Sequence, residues 1–153
     1  DADGNQSTLR QVLAQGDKVW LVDFVYTRCQ TLCITLGTVF QQLQREIQLR
    51  GLEDKVGLLS VSFDPAHDTP NALGMYRDRM RMDPDIWRIL SLSSPQDRRQ
   101  LLDAFGIIVI PAPLGEFEHN AALHLVSQEG RLFRIIDYND AKFALGTALA
   151  YSP

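Results

Sequence analysis

Hydrophobic positions along this chain alternate between two rhythms, and the places where the rhythm changes divide it into elements. Val19–Thr27 (VWLVDFVYT) is an apolar run rich in β-branched and aromatic residues, which predicts a buried strand. From Ile34 to Arg50 the apolar residues Leu36, Val39, Phe40, Leu43 and Ile47 fall at helical spacing, and Gly51 supplies a stop. Lys55–Asp64 (KVGLLSVSFD) predicts a second buried strand. Thr69-Pro70 follows as an N-cap with proline at the first helical position, and Leu73, Tyr76 and Met80 would then face inward. Trp87–Ser93 is a third strand, and Ser94-Pro95-Gln96-Asp97 repeats the cap signal for a helix ending near Gly106. Ile107–Glu118 holds two prolines and Gly115, breaks every period, and is expected to be a loop. Ala121–Ser127 and Arg131–Asp137 flank Gln128-Glu129-Gly130 as a β-hairpin, and Asp140 is the expected cap of a closing helix to Tyr151.

Strands separated by helical patterns call for crossover connections, so the expected class is α/β with a mainly parallel central sheet, flanking helices and a C-terminal β-hairpin. The element order is that of a thioredoxin-like fold, although periodicity alone supports only the class. With 153 residues and no repeat or low-complexity tract, residues 1–153 are expected to form one domain. The net charge of −4 offers no basic field for nucleic acid or an anionic membrane. No apolar run approaches the roughly 18 residues a membrane helix needs. The chain starts at Asp1 without Met, and is expected to be the soluble part of a protein whose N-terminal anchor or signal has been removed.

The two cysteines are four residues apart, where a strand gives way to a helix. Stepping the helical stripe back from 47, 43, 40 and 36 reaches 33 and then 29. Residues at i and i+4 are neighbours, and a Cα separation of about 6 Å lies within disulfide range. Cys29 and Cys33 can therefore close a disulfide, hold a soft metal between two thiolates, or simply fill core positions. A helix start and the adjacent Arg28 both favour thiolates.

Three histidines are candidates to join them. His67 lies in a polar turn and is expected at the surface. His119 ends the proline-rich segment, and His124 lies within the hairpin strand. The formal spacing fits a Cys₂His₂ zinc site, but residues five apart in a strand face opposite sides, so one site can recruit only one of the pair. His124 is expected to pack against its neighbours. Two thiolates plus one imidazole would suit copper in either oxidation state. Met75, Met80 and Met82 suggest a thioether site only weakly, because Met80 falls on the core stripe and the Met-x-Met pair splits between helix faces.

These segments resemble the Sco/SenC family. Val22–Cys33 (VDFVYTRCQTLC) resembles its strand leading into a C-x-x-x-C copper motif, and Val61–Pro70 (VSFDPAHDTP) its second-strand motif. His119–Leu132 (HNAALHLVSQEGRL) resembles its His-bearing hairpin, in which the copper-binding His stands eleven residues before the turn glycine, as His119 does before Gly130. Asp1–Leu13 is similar to the family's opening segment. The resemblance implies a thioredoxin-like fold and copper, as Cu(I) or Cu(II), bound by Cys29, Cys33 and His119. It implies a periplasmic or otherwise extracytoplasmic, membrane-tethered protein. It also implies a partner in the copper-bearing subunit of cytochrome c oxidase or another copper chaperone, and it makes Asp64 a contact candidate beside its simpler role as a turn cap. The sequence departs from the family pattern in three respects. Gln30 and Ile34 replace the prolines that commonly follow the cysteines, the acidic residue between the cysteines is missing beside Thr31 and Leu32, and Glu118 replaces the usual Asp before the His.

Two functions therefore stand side by side. One is a metallochaperone that moves copper by ligand exchange at a partly exposed rim. The other is a thiol–disulfide oxidoreductase in which Cys29 attacks and Cys33 resolves. His119 discriminates between them, since exchange chemistry does not need it. A copper sensor or buffer is the third class.

Overall fold

Two apolar runs become the paired strands at the heart of the sheet. In the computed structural model, which describes residues 1–29 and 32–153, β1 (Val19–Val25) and β2 (Val56–Ser62) are buried at every position. Strands that are apolar on both faces must be covered on both, which is the parallel-sheet solution. β1 and β2 pair in parallel from Val19↔Val56 to Val25↔Ser62. β3 (Trp87–Ser91) adds in parallel beyond β2. On the other side β6 (Leu123–Val126) pairs antiparallel with β1, and β7 (Leu132–Ile136) closes the hairpin, giving the order β3-β2-β1-β6-β7.

Helices occupy both faces. α2 (Leu32–Arg50) packs between α3 (Pro70–Met80) and α5 (Ala141–Tyr151) on one face. There Phe40 meets Trp87, whose indole N–H donates to Ser60 Oγ at 2.9 Å. On the opposite face Phe24 packs edge-on against Phe105 of α4 (Pro95–Phe105), and Trp20 donates to the Leu13 carbonyl of α1 (Leu9–Leu13). The expected caps are present. Thr69 Oγ1 accepts the Ala72 N–H, Ser94 Oγ accepts the Asp97 N–H, and Gly106 ends α4 in the left-handed region. Leu73, Tyr76 and Met80 are buried as the helical stripe required. This is the α/β layout expected for a thioredoxin-like chain. No described helix is long and apolar enough to cross a membrane.

Two expectations are corrected. Ile107–Glu118 is not plain loop: β4 (Val109–Pro111) pairs antiparallel with β5 (Phe117–His119) in a separate two-stranded ribbon, turned by a 3₁₀ segment at Pro113–Gly115. Strands of three residues are too short to show a period, and prolines are tolerated where a ribbon has free edges. Asp140 makes no side-chain cap for α5. Asp137 accepts the Asn139 N–H instead, and a 3₁₀ turn precedes the helix.

Candidate metal centre

Parallel strands deliver their carboxyl ends to one edge of the sheet, and the segments leaving β1 and β2 meet there. Asp68, itself buried, ties the two exits together. It accepts the Thr27 N–H at 3.0 Å and the hydroxyls of Thr27 and Ser62 at 2.5 Å each. Beside it Asp64 accepts from Arg28 at 2.9 Å and from His67 Nδ1 at 3.0 Å. The same Arg28 nitrogen reaches the Gly115 carbonyl in the β4–β5 turn at 3.3 Å. Asp64 is thus both a turn residue and the anchor of the side chain preceding Cys29.

Cys29 follows this clamp, its N–H donating to the Tyr26 carbonyl at 3.2 Å. Cys33 lies in the first turn of α2, where backbone N–H groups have no helical partner, and its N–H donates to Cys29 Sγ at 3.3 Å. The stripe argument holds for Cys33 only: α2 begins at Leu32, so Cys29 stands ahead of the helix, although both cysteines are buried and no disulfide joins them. Gln30 and Thr31 between them lie outside the described residues, so the effect of replacing the usual proline after Cys29 falls there too. Ile34, at the other replaced proline, is exposed on α2.

His119 enters at the end of β5. Its Nδ1 is 2.9 Å from the Asn120 carbonyl. A carbonyl can only accept, so Nδ1 carries the proton and the lone pair is left on Nε2. That Nε2 stands 3.9 Å from Cys33 Sγ. Burial lowers the His119 pKa from its ordinary value, which keeps the ring neutral near pH 7 and available as a ligand.

The electrostatics correct one expectation. The helix start was expected to favour thiolates, but the hydrogen bond with Cys29 and burial push the Cys33 thiol well above the usual range. Both sulfurs are buried, not displayed on a rim. Among the described residues no three His, Cys, Asp or Glu side chains are drawn together closely enough to hold a metal as they stand.

Other candidates are placed elsewhere. His124 is buried between Phe24 and Phe105 with Nδ1 3.2 Å from the Val22 carbonyl, packed against its neighbours as expected, although it lies in a different strand from His119 and parity along one strand does not apply. His67 turns its Nδ1 to Asp64 at the surface. Met75 is exposed, whereas Met80 and Met82 are buried, so the methionines do not converge.

Several residues were not found from sequence. Phe117 packs against Tyr26 and Phe63, whose ring lies 5.0 Å from that of His119. The Tyr26 hydroxyl donates to Glu116 at 2.6 Å, and the Phe117 N–H donates back to it at 3.2 Å. Burial, then the Glu116 contact, raises the Tyr26 pKa, so the phenol keeps its proton. Nothing in an apolar run marks Tyr26 as more than core. Asp23 did carry a signal, as a carboxylate inside that run. It is buried with neither oxygen in a hydrogen bond of good geometry, and burial raises its pKa to about 7 against the pull of the nearby Ser60 hydroxyl.

The model of the SCO1/SenC family matches residues 1–150 of this sequence. The chain belongs to that family. It is similar to the SCO1 protein homolog of Bacillus subtilis, at 29% identity over 140 residues, covering 90% of this chain and 68% of the relative. Among solved structures, Bradyrhizobium japonicum ScoI with copper bound superposes with a TM-score of 0.75 at 24% identity, covering 97% of this chain and 94% of that one. BsSco, a member of the Sco family of cytochrome c oxidase assembly proteins in which a disulfide switch has been identified, gives 0.77 at 24% identity, covering 99% and 90%. These likenesses show that SCO1/SenC chains share the present fold.

Proposed function

We propose that this SCO1/SenC chain, with residues 1–153 acting as one domain, binds one copper ion through Cys29, Cys33 and His119. Its task is to help assemble the binuclear copper site of cytochrome c oxidase, handing copper to the cysteines of the copper-bearing subunit or of another chaperone. It works outside the cytoplasm, tethered to a membrane in its native form.

The observation that carries this reading is the 3.9 Å separation of Cys33 Sγ from His119 Nε2, with Cys29 Sγ against the Cys33 N–H. Cys29, Cys33 and His119 would hold the ion, the two sulfurs supplying soft thiolate ligands and the imidazole a neutral nitrogen. The donor set is soft, suiting Cu(I), while the imidazole accommodates Cu(II). Loading requires loss of the Cys33 proton, whose cost the incoming cation offsets. The copper-bound relative and the oxidase-assembly relative support the choice of metal and process.

Copper titration of the reduced protein tests this. One tightly bound copper, weakened by each of Cys29→Ala, Cys33→Ala and His119→Ala, is the expected result. Copper binding indifferent to His119 overturns it.

A second reading rests on the sulfur pair alone. Cys29 thiolate would attack a partner's disulfide, releasing one partner thiol and forming a mixed disulfide. Cys33, losing its proton, would then displace the second partner thiol as the Cys29–Cys33 bond closes, two electrons passing to the partner. Reduction of a test disulfide that survives His119→Ala would favour this reading.

A further inference from the structure

His119 reaches the cysteines from a ribbon that is not part of the main sheet. Among the described residues β4 and β5 pair with each other and with no other strand. What holds the ribbon in place therefore sets where the imidazole stands. Phe63, beyond β2, packs against Phe117 and His119, and hydrogen bonds reach the ribbon from the short segment leaving β1 that also carries Cys29. Tyr26 is buried, donates its hydroxyl proton to Glu116 at 2.6 Å, and accepts the Phe117 N–H at 3.2 Å. Its ring packs edge-on against Phe117 at 5.2 Å and stands 6.3 Å from the His119 ring. Along β5, Phe117 and His119 are two residues apart and share the inward face, so fixing one fixes the other. Arg28 adds a weaker tie to Gly115.

Resting on the copper reading above, we propose that Tyr26 and Glu116 form a clasp that positions His119 over the cysteine pair. Tyr26 is a positioning residue: it holds the ligand-bearing strand and takes no part in ligation. Removing its hydroxyl leaves the ring in the core but frees Glu116 and strips Phe117 N–H of its partner. The imidazole then spends less time where it can share an ion with Cys33.

The test is a double-mutant cycle read by copper affinity and by the Cu(II) charge-transfer spectrum of the full chain. Tyr26→Phe is expected to weaken copper binding by about tenfold, the equivalent of one well-made hydrogen bond. It should also move the spectrum toward that of His119→Ala. Glu116→Ala should do the same, whereas Glu116→Gln, which keeps an acceptor, should largely restore the native values. In the His119→Ala background Tyr26→Phe should cost nothing further, since there is no imidazole left to position. An equal loss in both backgrounds would mean a merely structural role and would overturn the inference. Should Tyr26→Phe fold poorly, the two Glu116 variants carry the same comparison. If His119→Ala leaves copper binding unchanged, the copper reading falls and the clasp with it. If His119→Ala weakens binding but Tyr26→Phe and Glu116→Ala do not, only the clasp is wrong.

Discussion

Asp23 should make the reduced, metal-free protein lose stability as pH rises through the range where most proteins are insensitive. The carboxyl is fully buried in β1, with neither oxygen in a well-formed hydrogen bond. Burial raises its pKa from 3.8 to about 7. The folded state therefore holds this proton more tightly than the unfolded state. Stability from this group is complete below about pH 4 and declines between about pH 4 and 7. Above that window the ionised carboxylate imposes a constant penalty. A displacement of that size, at about 1.4 kcal/mol per pH unit, amounts to about 4 kcal/mol. Asp23→Asn removes the titration while nearly preserving shape. The amide brings its own unsatisfied donors, an offset that does not change with pH. The measurement is urea unfolding of both proteins at several pH values between 4 and 8. The stability difference, variant minus parent, should become more favourable to Asn by about 4 kcal/mol across that range. Parallel pH profiles would show that Asp23 is ionised or hydrogen-bonded in the native state, and the burial argument would fail.

Three further outcomes test the packing around the site. Gly57→Ala would place a Cβ 2.6 Å from the Trp20 ring, which is locked by its bond to Leu13, so a loss of roughly 1–3 kcal/mol is expected in denaturant unfolding. Asp68→Ala strips three donors at the exits of β1 and β2 of their acceptor, and should cost roughly 2–4 kcal/mol and speed hydrogen exchange at the Thr27 amide. Leu114 stands in the left-handed region at φ 62° with 98% exposure, so Leu114→Gly should raise thermal stability by about 1 kcal/mol. A loss there would mean the side chain packs against something in the native state.

The central sheet, helices α2 to α5 and the caps of α3 and α4 were legible because each rests on information local in sequence. An apolar run such as Val56–Ser62 has one economical fate, and Thr69-Pro70 and Ser94-Pro95 satisfy helix N–H groups with their own neighbours. The burial of Cys33 was legible from the helical stripe, whereas the approach of His119 Nε2 to Cys33 Sγ was expected only from the family resemblance. His119 and His124 are separated by belonging to different strands, β5 and β6, with His119 beside Tyr26 and His124 beside Phe24. What the tertiary structure alone decided is how these groups are held. The β4–β5 ribbon was invisible because strands of three residues are too short to show a period, and its hold on the core includes Tyr26, 91 positions from Phe117. Asp68 reaches Thr27 across 41 positions and Tyr26 reaches Glu116 across 90, where no local pattern records them. Nor could a helix start reveal that Cys33 keeps its proton, because a thiol's ionisation depends on how deeply the surrounding fold buries it and which group it faces.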